Sequence, residues 1–264
     1  MGVSIQRIKD VLLAAGLYGP MRRLNLSSSG RDAARARNKM RTFFGTLLPK
    51  DALVFDIGAN VGTLSEAFAC VGASVVAVEP NVHSARHIQL MHSSKRIQVI
   101  QAAVGSQNGL AILNISPDWH PTCTLSAEWM ERIQKADGRY KGNWTKATTV
   151  PVLTLDTLVQ HFGEPYFIKI DVEGYERQVL SGLSKQPALL SFEYHNAFIS
   201  AALDCLNLPL WADGSFFNIV ESSGWGYPSQ FKFNEWIDKQ HVCQVLMRLP
   251  GSNDQGDIYV RRPT

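Results

Sequence analysis

The sequence is short of several things, and each shortage closes a class of protein. It carries four cysteines in 264 residues. Cys70, Cys123, Cys205 and Cys243 lie far apart, with no pair at metal-site spacing and no framework of the kind that staples small secreted domains. Free, buried thiols in a reducing compartment are the expectation. No apolar run approaches the length of a membrane span. Arg7, Lys9 and Asp10 interrupt the N-terminal stretch where a signal peptide needs its apolar core. No integral membrane contact is expected, and the location reads as cytoplasmic. The net charge of +3 comes without a dense basic run, which argues against a nucleic-acid partner. Internal repeats and low-complexity tracts are absent as well.

What is present is the composition of a folded α/β protein, 45% hydrophobic and 19% charged. Its most informative stretch is Leu53-Val54-Phe55-Asp56-Ile57-Gly58-Ala59-Asn60-Val61-Gly62. An apolar run of this kind predicts a strand covered on both faces. Gly58 and Gly62 then let the backbone turn and approach a ligand closely, since no Cβ stands in the way. From Val61 the pattern is helical. Strand, glycine turn and helix together present backbone N–H groups to a cofactor.

Around that stretch the chain reads in alternation. Ile5, Ile8, Val11, Leu12 and Ala15 share one helical face, and a second helix is expected over Asp32 to Leu47. Residues 1–48 are therefore read as a helical extension packed on the core, and 49–264 as the main domain. Arg22 and Arg23 raise the rival reading of a membrane-surface anchor, but the basic content is too thin. Strands are expected at Ser74–Val78, Ile97–Gln101, Leu110–Ile115, Thr148–Leu155, Tyr166–Ile170, Leu189–His195, Phe216–Val220 and Asp257–Val260. Helices are expected between them, one through Phe162 capped by Asp156. The prediction is a Rossmann-like fold: a mostly parallel, seven-stranded sheet flanked by helices. Residues Ser116 to Lys146 form an irregular, aromatic excursion with Trp119, His120, Trp129, Tyr140 and Trp144, either a lid over the site or a packed surface segment.

Ligands of open parallel sheets bind beyond the carboxyl ends of the strands. That rule gathers Asp56, Gly58, Asn60 and Gly62 with Glu79, Ala103, Asp171, Glu173, Glu193 and His195. Glu79 ends its strand roughly 20 residues beyond the glycine turn, the place of an acidic residue that grips a ribose diol. Its rival role, capping the helix after Pro80, is one that Asn81 can fill. A dinucleotide turn needs glycine where Asn60 stands. With Asp56 close by, the turn suits a cationic nucleoside cofactor better than a diphosphate. S-adenosyl-L-methionine is such a ligand.

Asp56-Ile57-Gly58-Ala59-Asn60-Val61-Gly62, Glu79-Pro80-Asn81, Ala103-Val104-Gly105 and Ile170-Asp171-Val172-Glu173-Gly174-Tyr175-Glu176 resemble the FkbM family of S-adenosylmethionine-dependent methyltransferases, of class I. The resemblance runs from Leu47 to His195 and weakly to Asp257-Ile258-Tyr259. The first motif is shared by many class I methyltransferases; its combination with Ile170–Glu176 and Val179-Leu180-Ser181-Gly182 is much more specific. The resemblance implies that Gly58 to Gly62 hold the methionine part of the cofactor and that Glu79 and Pro80 lie at its ribose. It implies further that Ala102 to Val104 lie along the adenine and that Asp171 faces the amino end or the reacting centre. The implied reaction is O-methylation of a hydroxyl on a small molecule or sugar.

An acceptor hydroxyl sheds its proton as the new bond forms, so a base helps. His195 is the first candidate, because it ends a strand and titrates near neutral pH; Glu173 and Asp171 follow. Glu193 ranks behind them on the expectation that strand alternation turns it away from His195. Asp171, Glu173 and His195 could instead gather Mg²⁺, but no spacing demands a metal and no metal ligand is assigned. His83 and His87 stand one helical turn apart without a third ligand, which reads as an exposed helix face. Two other classes stay open: a nicotinamide-dependent oxidoreductase, against which Asn60 speaks, and a cofactor-binding protein without catalysis. The acceptor and the oligomeric state are not legible.

Overall fold

Alternation along the central strand decides the layering. In β1 (Leu53–Ile57) Val54 and Asp56 turn to one side, and Phe55 and Ile57 to the other, as successive strand residues must. The residues from Val54 to Ile57 are all buried, so both faces need cover. The computed structural model describes residues 28–92, 94–116, 123–136, 144, 146–222, 228–249 and 255–263. The expected helix at Ile5–Leu17 lies outside them, as do Trp119, His120, Tyr140 and Trp225 to Tyr227.

On the Val54 side the cover is α1 (Ser28–Leu47), α2 (Thr63–Cys70) and α3 (Val82–Met91). Met40, Phe43 and Phe44 of α1 meet Phe68 of α2 and Phe167 in one aromatic cluster, Phe44 and Phe68 edge to face at 4.6 Å. The other face is covered by α5 (Leu155–Phe162), α6 (Glu176–Leu180), α7 (Ile199–Leu206) and α8 (Lys239–Met247), which pack Leu158, Val179, Leu206 and Leu246 onto Phe55, Ile57 and Ile168.

The main sheet has seven strands: β1, β2 (Ser74–Val78), β3 (Ile97–Ile100), β8 (Phe167–Ile170), β9 (Leu189–His195), β10 (Phe216–Ser222) and β11 (Gln255–Arg261). Their spatial order is β10-β11-β9-β8-β1-β2-β3. Pairing is parallel from β3 through β9, while β11 runs antiparallel to both of its neighbours. The order reverses beside β1, where the chain runs outward to β3 and then returns to β8. This is the switch point at which an open α/β sheet leaves a crevice.

A second sheet was not read from the sequence. It joins β4 (Ala103–Val104), β7 (Lys146–Leu153), β5 (Gly109–Ile115) and β6 (Cys123–Thr124), with β4 parallel and β5 antiparallel to β7. Leu113, Val150, Val152 and Ala103 form its small core. Beyond β6, α4 (Ala127–Ala136) forms within the aromatic excursion. The cap of α5 differs from expectation. Thr154 accepts the capping bond from the Thr157 N–H, while Asp156, already inside the first turn, accepts from the Ser184 N–H and hydroxyl. No helix among the described residues is long and apolar enough to cross a membrane.

Candidate active site

The turn after β1 is forced by its surroundings. Gly58, Asn60 and Gly62 have φ of 78°, 49° and 80°. Glycine reaches this left-handed region freely, and asparagine more readily than most residues. At Gly58 space is as restrictive as backbone angle: a Cβ would fall 1.8 Å from the Asp171 carbonyl oxygen, where the end of β8 crosses the turn.

Glu79 ties this turn to the end of β2. Its Oε2 accepts from the Asn60 N–H and its Oε1 from the Asn81 N–H, both at 2.8 Å. Asn81 meanwhile caps α3, its Oδ1 accepting from the His83 N–H at 3.0 Å, so Glu79 is free of that duty. Burial pushes the Glu79 carboxyl up to about 7, against the two N–H donors and with help from the charges of Asp56 and Asp171. Each of its oxygens keeps a further lone pair for a ligand. Pro80 follows, half-buried.

Asp56 lies below the turn rather than in the open. Only 2% exposed, it accepts from the Ser65 hydroxyl of α2. Burial pushes its carboxyl up to about 6, against that hydrogen bond and Lys169. Ala103 and Val104 are core residues of two different clusters.

The other half of the site stands on β8, β9 and β11. Lys169, buried in an otherwise apolar strand, reaches Asp257 of β11 at 2.9 Å and Asp171 at 3.4 Å. Burial alone would lower the ammonium, but Asp171, Asp257 and Glu193 outweigh it and hold the Lys169 pKa well above its ordinary value. Lys169 and Asp257 escaped the sequence reading. The available signal was a lysine between Ile168 and Ile170, a residue that is almost never fully buried unless paired.

After Asp171 the chain turns sharply, with φ of 55° at Glu173 and 85° at Gly174. The Glu176 carboxylate steadies this turn by accepting from the Val172 and Gly174 N–H groups, and the Thr124 hydroxyl donates to the Glu173 carbonyl at 2.7 Å. A Cβ on Gly174 would meet Trp129 of α4 at 2.3 Å, so the indole is packed directly over the turn. Its ring lies 6.1 Å from the His195 imidazole. The second sheet and α4 thus reach the site through Thr124 and Trp129.

Glu193 corrects an expectation. Residues two apart on a strand share a face, and Glu193 Oε2 stands 3.2 Å from His195 Nε2. Glu173 Oε2 is 4.0 Å from the same nitrogen. Asp171, expected in this group, is turned toward Lys169. Burial pulls the His195 imidazole down, but Glu193 and then Glu173 outweigh it and push it up to about 10. Burial, with the charges of its acidic neighbours, raises Glu173 well above the usual carboxylate range and takes Glu193 to about 7.

A sheet with this strand order, its one reversed strand, a glycine turn after β1 and an acid at the end of β2 is that of a class I methyltransferase. Residues 56–243 match the methyltransferase FkbM domain, and the chain belongs to that family. Among solved structures it is similar to precorrin-6y C5,15-methyltransferase from Geobacter metallireducens GS-15, at 11% identity over 91% of each chain with a TM-score of 0.39. It is also similar to an rRNA methylase from Streptococcus thermophilus, at 10% identity over 85% of this chain and 94% of that one, TM-score 0.40. A third similar structure is the N-terminal domain of EvdMO1 with SAH and D-fucose, at 11% identity over 86% and 83%, TM-score 0.39. Identities this low say nothing of substrate, and the assignment rests on the matched domain. A search of curated proteins finds no match.

Proposed function

We propose that this protein is an S-adenosyl-L-methionine-dependent O-methyltransferase acting on a hydroxyl of a small molecule or sugar. The observation that carries the reading is a juxtaposition at the strand ends beside the switch point. A glycine turn tied to Glu79 faces a separate group of titratable side chains, Glu173, Glu193 and His195.

The residues fit the cofactor. Left-handed backbone at Gly58 and Gly62, with the Asp171 carbonyl, His92 and Ile88 packed where a Cβ would stand, fixes the shape of the turn; Glu79 retains lone pairs for the ribose hydroxyls, and Asp171 supplies negative charge near the turn. When bound, the cofactor supplies a methyl group on a positively charged sulfur, whose bonding pair stays on sulfur as the acceptor oxygen takes the carbon. The chain's own work is to position, to exclude water and to take the acceptor's proton. We assign the proton to Glu173, whose side chain is 27% exposed against 11% for His195 and 8% for Glu193. His195, held cationic between carboxylates, is a positioning residue in this reading. Trp129, over Gly174 and His195, covers the acceptor end. The carboxylates there disfavour a polyanion, which argues for a small neutral acceptor.

Titration calorimetry with S-adenosylhomocysteine tests the cofactor. Binding of that nucleoside without binding of NAD is expected, and the reverse would overturn the reading. Transfer of labelled methyl to a panel of hydroxylated metabolites then tests the acceptor class.

A further inference from the structure

Three side chains at the acceptor end converge without completing their bonds. Glu173 Oε2, Glu193 Oε2 and His195 Nε2 are all buried; Glu193 and His195 pair by charge at 3.2 Å, but none of the three atoms completes a hydrogen bond of good geometry. One donor atom from each lies within 4.8 Å of the other two. The Glu193 side chain is 8% exposed; its Oε1 accepts from the Gln255 amide at 3.1 Å, which aims Oε2 at the other two groups. Lys169 makes its ion pairs with Asp257 and Asp171 and meets Glu193 only as a further charge, not as a salt-bridge partner. The Glu173–Gly174 turn holds its carboxylate here at the cost of a left-handed backbone at a non-glycine residue.

Ligands about 2.1 Å from one cation lie about 3 Å apart when adjacent and about 4.2 Å apart when opposite. The separations of 3.2 Å and 4.0 Å from His195 Nε2 fall on that scale. We propose that Glu173, Glu193 and His195 bind one divalent cation, with Mn²⁺ the best match to two carboxylate oxygens and one imidazole nitrogen. The ion displaces the proton that makes His195 cationic in the metal-free site. Gln255 and the Thr124–Glu173 contact act as the outer shell that orients the ligands.

The inference rests on the acceptor-side reading above and gives it a chemical class. A cation here binds the acceptor's oxygen and makes its hydroxyl more acidic. With Glu173 taken up as a ligand it no longer serves as the base: the O–H bond breaks, its proton passes to water, and the oxygen keeps the pair that forms the new C–O bond. A neighbouring-diol or hydroxy-carbonyl acceptor, with two oxygens for one cation, fits best.

The test is titration of the full chain with Mn²⁺, followed by electron paramagnetic resonance. Saturation near one ion per chain, with nitrogen coupling from an imidazole that disappears in His195→Ala, is expected. Glu193→Gln and Glu173→Gln should each weaken binding at least about tenfold, and Glu164→Gln, at an exposed ion pair with Lys185, should not. Absence of saturable Mn²⁺ binding by the wild-type chain overturns the proposal whatever the variants do. So does unchanged affinity in both glutamine variants. Binding of S-adenosylhomocysteine, measured in parallel, separates the two claims. A chain that binds the nucleoside but no Mn²⁺ loses only the cation site, and one that binds Mn²⁺ but no nucleoside keeps the site and loses the methyltransferase reading.

Discussion

Glu79 has to serve two masters, the backbone of its own turn and the ribose. Glu79→Ala leaves the Asn60 and Asn81 N–H groups without their acceptor, and S-adenosylhomocysteine affinity should fall at least about tenfold by calorimetry. Hydroxyls donating to this carboxylate favour its ionised form, so wild-type affinity should rise as pH increases through about 7. A flat profile would exclude Glu79 from direct contact. Asp56 gives a stability test with a definite sign. Its carboxyl titrates at about 6 in the fold against an ordinary 3.8, so the folded state binds the extra proton between those values. The stability it contributes is fully present below the lower value and is lost as pH rises through the upper one. Asp56→Asn keeps a partner for the Ser65 hydroxyl and removes the titration. In denaturant unfolding of the cofactor-free protein it should gain on the wild type, on the order of 1–3 kcal/mol at pH 8. The two should converge near pH 4.

At the scale of elements, α4 is the piece whose role is most exposed to test. Trp129 is buried over Gly174 and packs beside His195. Trp129→Ala should cost about 3–5 kcal/mol in denaturant unfolding and raise KM for the acceptor more than it changes nucleoside affinity. Equal loss of both would place α4 in the general fold alone. The elements also show what a sequence makes legible. The strands of the main sheet, the glycine turn and the part of Asn81 in capping followed from local pattern, because hydrophobic run, backbone angle and cap are set by near neighbours. The second sheet did not: β4 joins β7 across a long insertion, and nothing local in Ala103-Val104 names that partner. Glu193 was misplaced by a miscounted alternation, which the pleat itself forbids. The link from Lys169 to Asp257 depends on strand order, and register between distant strands is not written in either one.

For the molecule as a whole, that link is the place where charge and topology meet. β8 carries Lys169, β11 carries Asp257, and β9 lies between them. Lys169→Ala strands Asp257 and Asp171 beside a lost counter-charge and should cost roughly 3–5 kcal/mol. The double variant Lys169→Met, Asp257→Asn should recover part of that loss in thermal unfolding, and additivity of the two changes would show that the pair is not coupled. Among the described strands, β10 joins the sheet only through β11, although β11 comes later in the chain. A growing chain on the ribosome can therefore order the sheet from β3 to β9 while β10 waits without a seat. The gap beside β9 closes only when residues 255–261 clear the exit tunnel, and until then Lys169 has no aspartate from that strand to meet. The last of the described strands in chain order is thus the one that lets the sheet close.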